Sequence, residues 1–495
     1  MWYLYVIIGY FVVLTGLNFL RARRVKTQED FMVAGRSLKV RVMVFTLICT
    51  WIGSGTFIAG AEYAARAGFS SLWMPAGAWV GIIIIYFLAG KIRTFGQYTV
   101  GDILEVRYGK FARLFGALAL IISFTAIVSY QFRAGGYIIN VITDGRISVS
   151  QGQMWSAVFV ILFTALGGMI AVAYTDLPNG IIILIATIAS VPFVIHAAGG
   201  LKGALISLPP EHFSIVNQTF GAHPYLKAGS YFLATMLLLL GVQTMYQKFY
   251  SAKTPKDAKE AVSLWVLGTI VVETVVVIIA IFAAARHWPE INLWMVNHSK
   301  GIDPASIVLV AAKKMVPPVV GLLLMGAASV VVLSTGMNYL LSPSTNIMRD
   351  IYQRFIRREA SQKEMVVLQR IMVLILGILA WFLAVKMESV LDTAYFAYTI
   401  YGVSITPALI AALAWKRTTR KAGLWSIILG SLSAIVLKIL GGMLPPSMAP
   451  EGDPFGIPII YPAFIISIVA LVLISYLDRP PSREELAPFF PDEKA

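Results

Sequence analysis

The sequence predicts an all-α integral membrane protein with thirteen transmembrane helices, on three observations. Of the 495 residues, 58% are hydrophobic and 13% charged, and the mean hydropathy is +0.77; a soluble domain carries about 25% charged residues. Apolar runs near the ~20 residues needed to cross a bilayer recur along the whole chain. The basic residues fall in the gaps between those runs, and mostly in alternate gaps.

The first run (3–20) has no basic segment before it, and its positives follow it, so it reads as a retained helix rather than a cleaved signal. The second (42–61) carries Gly53-Ser54-Gly55 near its middle. Each glycine costs about 1 kcal/mol in a helix relative to alanine, so this span is expected to be interrupted. Free backbone at mid-membrane is tolerated only where it lines a cavity. There its carbonyls can hold a cation and its half-helix N-terminus an anionic group; the glycines would equally allow close helix packing. The third run (72–90) is plain. The fourth (114–142) contains Tyr130, Gln131 and Arg133. An arginine inside a span faces a carboxylate or else snorkels to the interface.

The fifth and sixth runs (154–173, 177–198) are joined by a short turn at 174–178, where Asp176 is placed to cap the new helix. The seventh (228–247) holds Gln243 and Gln247 one turn apart, and the eighth (263–285) holds Glu273. The ninth (319–341) carries Ser334, Thr335 and Asn338, with Ser334 and Asn338 on one face. Their oxygens suit a small hard cation; hydrogen bonding between helices is the alternative. The tenth run (366–386) is plain. The eleventh (393–415) contains Tyr395, Tyr398 and Tyr401, a candidate gate, and the last two are 422–441 and 459–477.

Thirteen crossings put the termini on opposite sides, and Lys and Arg decide which. The gaps 21–41, 91–113, 248–262, 342–370 and 416–421, with the tail, hold 29 of the 40 basic residues. The expected orientation is N-terminus outside and C-terminus cytoplasmic, in a plasma or bacterial inner membrane. The net charge of +15 then belongs to one membrane face, not to a nucleic-acid surface, which needs a basic face in water. A single cysteine, Cys49, excludes a disulfide scaffold. No paired carboxylates, His–Asp pair or metal-ligand cluster stands near one leaflet, so neither catalytic residues nor an enzyme are expected.

Four motifs then carry a resemblance. They are Phe31-Met-Val-Ala-Gly35-Arg36-Ser37-Leu38; Gly167-Gly168 followed by Ala173-Tyr174-Thr175-Asp176; Ser334-Thr335 followed fifteen residues later by Asp350-Ile351-Tyr352; and Gly402 to Pro407, with Trp415-Lys416-Arg417 closing the eleventh span. In this order the chain resembles the sodium:solute symporter family over nearly its whole length. The resemblance implies a LeuT-like fold of two inverted five-span repeats, each beginning with a broken helix. The parts would be a peripheral first helix (1–24), a first repeat with its outer loop (25–226), a second repeat (227–417), peripheral helices 12 and 13 (418–478) and a cytoplasmic tail (479–495).

The resemblance also implies a sodium site made by the carbonyls of Cys49, Ile52 and Val331 and the hydroxyls of Ser334 and Thr335. A second sodium site in some relatives pairs the Asp176 position with ninth-span serines, which here read Met337 and Asn338. Thr50-Trp51-Ile52-Gly53 looks like the choline-carrier branch, whose cage of aromatic walls binds a quaternary ammonium. Trp51 matches one wall, but Val242 and Ser129-Tyr130 stand where the others are expected. The expected solute pocket comprises Trp51, Gly53, Ser54, Tyr130, Gln131, Arg133, Gln243 and Tyr398. Arg133 and the two glutamines favour an amino acid or short organic acid as the solute, with Na⁺ as coupling ion and no other cofactor. The alternatives are a proton-coupled or ion-independent carrier of this fold, a choline or quaternary-amine symporter and, less favoured, a membrane sensor. The expected partners are the solute, Na⁺ and the lipid bilayer.

Overall fold

The computed structural model describes residues 2–22, 27–96, 99–297, 300–387 and 389–490. The side chains of Phe31 and of residues 167–172 and 174–175 lie outside the described part, and with them one residue of the first motif and most of the second; so do tail residues 491–495. Among the described residues the chain is helical, with no strand and one isolated backbone bridge, Leu38 to Ala252. Eleven helical stretches are long and apolar enough to cross a membrane. Outside that set stand the 21-residue helix Trp2–Ala22 and the shorter apolar helix Val40–Trp51.

Composition explains which helices sit at the centre. Pro318–Ile356 and Val390–Ala414 are 72% and 89% buried over their most apolar windows, against 28% and 33% for Arg420–Met443 and Ile460–Leu477. The central pair carries small and polar side chains that other helices cover. The last two expose Leu432, Val436, Ile465 and Leu473, as a lipid-facing surface does. The helical run Val149–Ala197 contains both crossing-length legs, Val149–Leu166 and Asp176–Ala197, with Pro178 and Pro192 inside it. Its backbone is helical through 174–178, so the turn expected there is not a separate element.

Two spans are broken at mid-length, and glycine marks both breaks. Val40–Trp51 ends at Ile52, whose backbone is extended (φ −70°, ψ 95°), and helix resumes after Ser54 in a wide turn, Gly55–Gly60, continued by Ala61–Ala67. Pro224–Gly241 ends at an extended Val242 (φ −63°, ψ 119°), followed by Gln243–Ser251. The first break was legible in Gly53 and Gly55. The second followed only from the resemblance.

The basic gaps meet at one end of the bundle. There Arg93 donates to the carbonyl of Ala252, Lys91 to that of Leu413 and Arg107 to that of Lys416. At the same end Arg113 binds Asp350 (2.6 Å), Asp102 (2.7 Å) and Glu105 (2.5 Å), and Arg354 also pairs with Glu105. Asp350 is fully buried and also accepts from Thr99 (2.8 Å) and Asn346 (2.5 Å). A buried ion cluster holds only when its lone pairs are satisfied in this way. At the opposite end the Glu62 carboxylate accepts from Leu391 N and Ser389 Oγ, tying the second span to the eleventh.

Candidate functional site

The site is built where the broken second span meets the Pro318–Asn346 helix. Unwinding at Ile52–Ser54 frees carbonyls that a continuous helix would use. Thr335 Oγ1 donates to two of them, Cys49 O at 3.0 Å and Ile52 O at 3.4 Å. Gly53 allows this approach, since a Cβ there would lie 2.7 Å from Thr335 Cγ2 and 2.8 Å from its Oγ1. Ser334 turns to Asp176 and donates to its Oδ1, while Thr46 donates to Oδ2 at 2.5 Å. Val331 is fully buried one helical turn before Thr335. Each of these groups offers oxygen, the donor a small hard cation prefers.

Asp176 is fully buried, and Lys248 lies within electrostatic reach of it. The Lys248 ammonium, also fully buried, donates to Asn338 Oδ1 at 2.6 Å, and Asn338 Nδ2 donates to Ser334 O at 2.9 Å. Lys248 therefore joins the two residues named for a second sodium. In the sequence it reads only as a loop positive, because it stands at the basic end of its half-helix.

A cavity of about 30 Å³ adjoins the first cluster, room for one or two waters. Trp51, Gly53, Tyr130, Gln131, Thr335 and Tyr398 line it, together with Thr56, Tyr339 and Glu273. Gly53 and Thr335 thus face both the freed carbonyls and the cavity. The Tyr130 and Tyr398 hydroxyls lie 3.1 Å apart. Ser54 donates to Gln131 Oε1 from its backbone N (3.3 Å) and hydroxyl (2.7 Å), supporting the cavity wall from behind.

Three expected pocket residues do not line this cavity: Ser54, which stands behind its wall, Arg133 and Gln243. Arg133 follows Gln131 by two residues, which is about 200° around a helix, so the two face opposite ways. Its guanidinium lies over the Tyr137 ring, 5.5 Å from the centroid. The Gln243 amide is used between Val100 N, Ser342 and Asn346, at the basic end. The residue missed is Glu273. It is buried, and it accepts from Trp51 Nε1 (3.0 Å) and Trp79 Nε1 (2.7 Å). A lone acid in an apolar span was the available signal.

The Sodium:solute symporter family profile matches residues 31–430. The chain belongs to the sodium:solute symporter family. It is a membrane transport protein, not an enzyme. This family member is 24% identical to the osmoregulated proline transporter OpuE of Bacillus subtilis (strain 168), over 96% of this chain and 94% of that one. It is 26% identical to the sodium/proline symporter of Escherichia coli (strain K12), over 94% and 91%. It is 27% identical to the human high affinity choline transporter 1, over 84% and 71%. Its fold is similar to that of a Na⁺-coupled sialic acid symporter (TM-score 0.77, 15% identity, 98% of this chain and 99% of that one). It is also similar to MhsT in complex with L-phenylalanine (TM-score 0.53, 15% identity, 88% and 97%).

One consequence is testable at Gly53. Gly53→Ala forces a methyl against Thr335, and displacing a binding group by about 1 Å costs on the order of 100-fold in rate. Initial uptake rates per unit of membrane-inserted protein should fall by that order while expression is retained.

Proposed function

We propose that the chain is a Na⁺-coupled symporter that imports a small organic solute by alternating access. The observation that carries this reading is Thr335, which meets the carbonyls of Cys49 and Ile52 and also lines the solute cavity. In the proposal the Thr335 hydroxyl turns its proton away from the Cys49 and Ile52 carbonyls, and Na⁺ sits among the oxygens of Cys49, Ile52, Val331, Ser334 and Thr335. It pins the broken second span to the ninth and so completes the cavity wall. The proposed architecture is thirteen spans, with the two repeats begun by the two broken helices, the N-terminus outside and the basic end cytoplasmic.

We propose one Na⁺ per cycle. The Asp176–Asn338 position already has an internal cation in Lys248. Lys248→Gln should leave Asp176 without that charge, and the Hill coefficient for Na⁺ in uptake should rise from about one toward two. A coefficient unchanged at one, with uptake retained, would count against this role.

One Na⁺ suffices energetically. A charge crossing ~100 mV releases about 2.3 kcal/mol, and a tenfold gradient adds about 1.4 kcal/mol. The total supports roughly 500-fold accumulation of a solute with no net charge.

The sequence favoured an amino acid or short organic acid partly through Arg133 and Gln243. Neither lines the cavity, so neither supports that preference, and a quaternary-amine solute is an open alternative. The test is radiolabelled uptake into proteoliposomes, screening proline, other amino acids, short organic acids and choline under an imposed Na⁺ gradient. The proposal expects accumulation of one class that ceases when K⁺ replaces Na⁺. Equal accumulation in K⁺ would replace it with the ion-independent or proton-coupled reading.

A further inference from the structure

Glu273 is the one carboxyl group among the residues lining the cavity, and no lysine, arginine or histidine lines it. Both of its oxygens accept from indole N–H groups, Oε1 from Trp51 and Oε2 from Trp79, and Thr56 Oγ1 lies 3.5 Å from Oε1. An indole N–H can only donate, so both carboxyl oxygens act as acceptors in this cradle, and a cationic group beside them would favour the ionised form. Among the described residues no cationic side chain pairs with it. A buried charge without a counter-charge is costly, and a cationic group entering the cavity would relieve that cost.

A second polar atom faces the same cavity. Gln131 is fully buried, and its Nε2 makes no hydrogen bond of ordinary geometry, although the Tyr130 hydroxyl lies close to that side chain. The amide cannot simply be turned over, because Ser54 N–H requires an acceptor at Oε1. The cavity therefore offers a carboxylate and an open N–H donor, with Trp51, Tyr130, Tyr339 and Tyr398 among its walls.

We propose that Glu273 is the specificity-determining residue for a solute bearing a positively charged amine, and that Gln131 Nε2 donates to an oxygen on the same solute. This rests on the symporter reading and deepens it. A zwitterionic amino acid and an amino alcohol both meet the requirement. A short organic acid without an amine does not, because its carboxylate would meet Glu273 with nothing to neutralise either.

The test uses the full chain in detergent with saturating Na⁺, following tryptophan fluorescence as L-proline, choline, pyruvate and glucose are titrated. Thermal stabilisation by Na⁺ over K⁺ is measured separately on each protein. Saturable binding is expected for proline or choline and none for pyruvate or glucose. Glu273→Gln should weaken the amine by about 100-fold or more, as truncating a buried charge partner does, and keep the thermal response to Na⁺. Glu273→Asp, which keeps the charge, should recover part of the loss, and Gln131→Ala should give a smaller loss of about tenfold.

The proposal is overturned if pyruvate or glucose binds and neither amine does, if no compound binds, or if Glu273→Gln binds the amine like the wild type. It is also overturned if Glu273→Gln loses the thermal response to Na⁺ and keeps amine binding, since the carboxylate would then serve the ion. Amine binding that depends on Glu273 in a protein with no response to Na⁺ would uphold the amine site and defeat the sodium-coupled reading alone.

Discussion

Ser334→Ala combined with Thr335→Ala is expected to abolish Na⁺-driven accumulation. The two hydroxyls are side-chain oxygens in a proposed set otherwise made of backbone carbonyls, so they are the part a mutation can remove. Thr335 holds Cys49 O and Ile52 O at 3.0 and 3.4 Å, and its loss frees the broken second span from the ninth. Ser334 donates to Asp176, so its loss also removes a hydrogen bond from a buried carboxylate. A hydrogen bond to a charged group contributes about 1.5–3 kcal/mol. Two such losses at one ion would raise the Na⁺ concentration for half-maximal uptake by at least about 100-fold. Cys49 gives an independent readout. It is the single cysteine, it is buried, and its Sγ lies 3.3 Å from Asp176 O. In the wild type Na⁺ should slow modification of Cys49 by a small maleimide, and in the double variant it should not.

Asp350→Asn should have the second large effect, at the far end of the same helix. Asp350 is fully buried and takes Arg113, Thr99 and Asn346, and a Cβ on Gly101 would lie 2.5 Å from its Oδ2. Removing one partner of a buried pair costs about 3–5 kcal/mol, because the other charge is left uncompensated. Arg113 keeps Asp102 and Glu105, so the cost should fall at the low end of that range. The cluster joins the helix Val100–Tyr108, the helix Lys110–Ile142 and the ninth span at the basic end. Its weakening should therefore favour a conformation open on that side. Cys49 should react faster from the basic side, and uptake should fall. Lower expression with unchanged Cys49 reactivity in the surviving protein would show that Asp350 serves stability alone.

These two sites show what the sequence could and could not reveal. Ser334 and Thr335 were legible because hydroxyls in an apolar span are uncommon enough to ask for a reason. The break in the second span was legible because glycine is costly in a helix. Asp350 stands out in the sequence only as part of a motif, since its partner Arg113 lies 237 positions away and nothing in the local pattern links them. Glu273 is visible as a lone acid but carries little weight there, because its two indole partners come from the second and third spans. Arg133 carries too much. It lies two residues after Gln131, and the helical repeat alone turns it to the other side of that helix. Eleven crossing-length helices were legible from hydropathy; Trp2–Ala22 and Val40–Trp51 stand outside that set, and 149–197 remains helical across the expected turn.

The coupling of ion and solute through Thr335 is tested most directly by counting ²²Na⁺ that enters proteoliposomes with the labelled solute, in the wild type and in Thr335→Ala. The account predicts about one Na⁺ per solute molecule in the wild type, both fluxes stopping when either species is omitted, and both lost in the variant. Solute accumulation without accompanying ²²Na⁺, or coupled entry undiminished in Thr335→Ala, would contradict it.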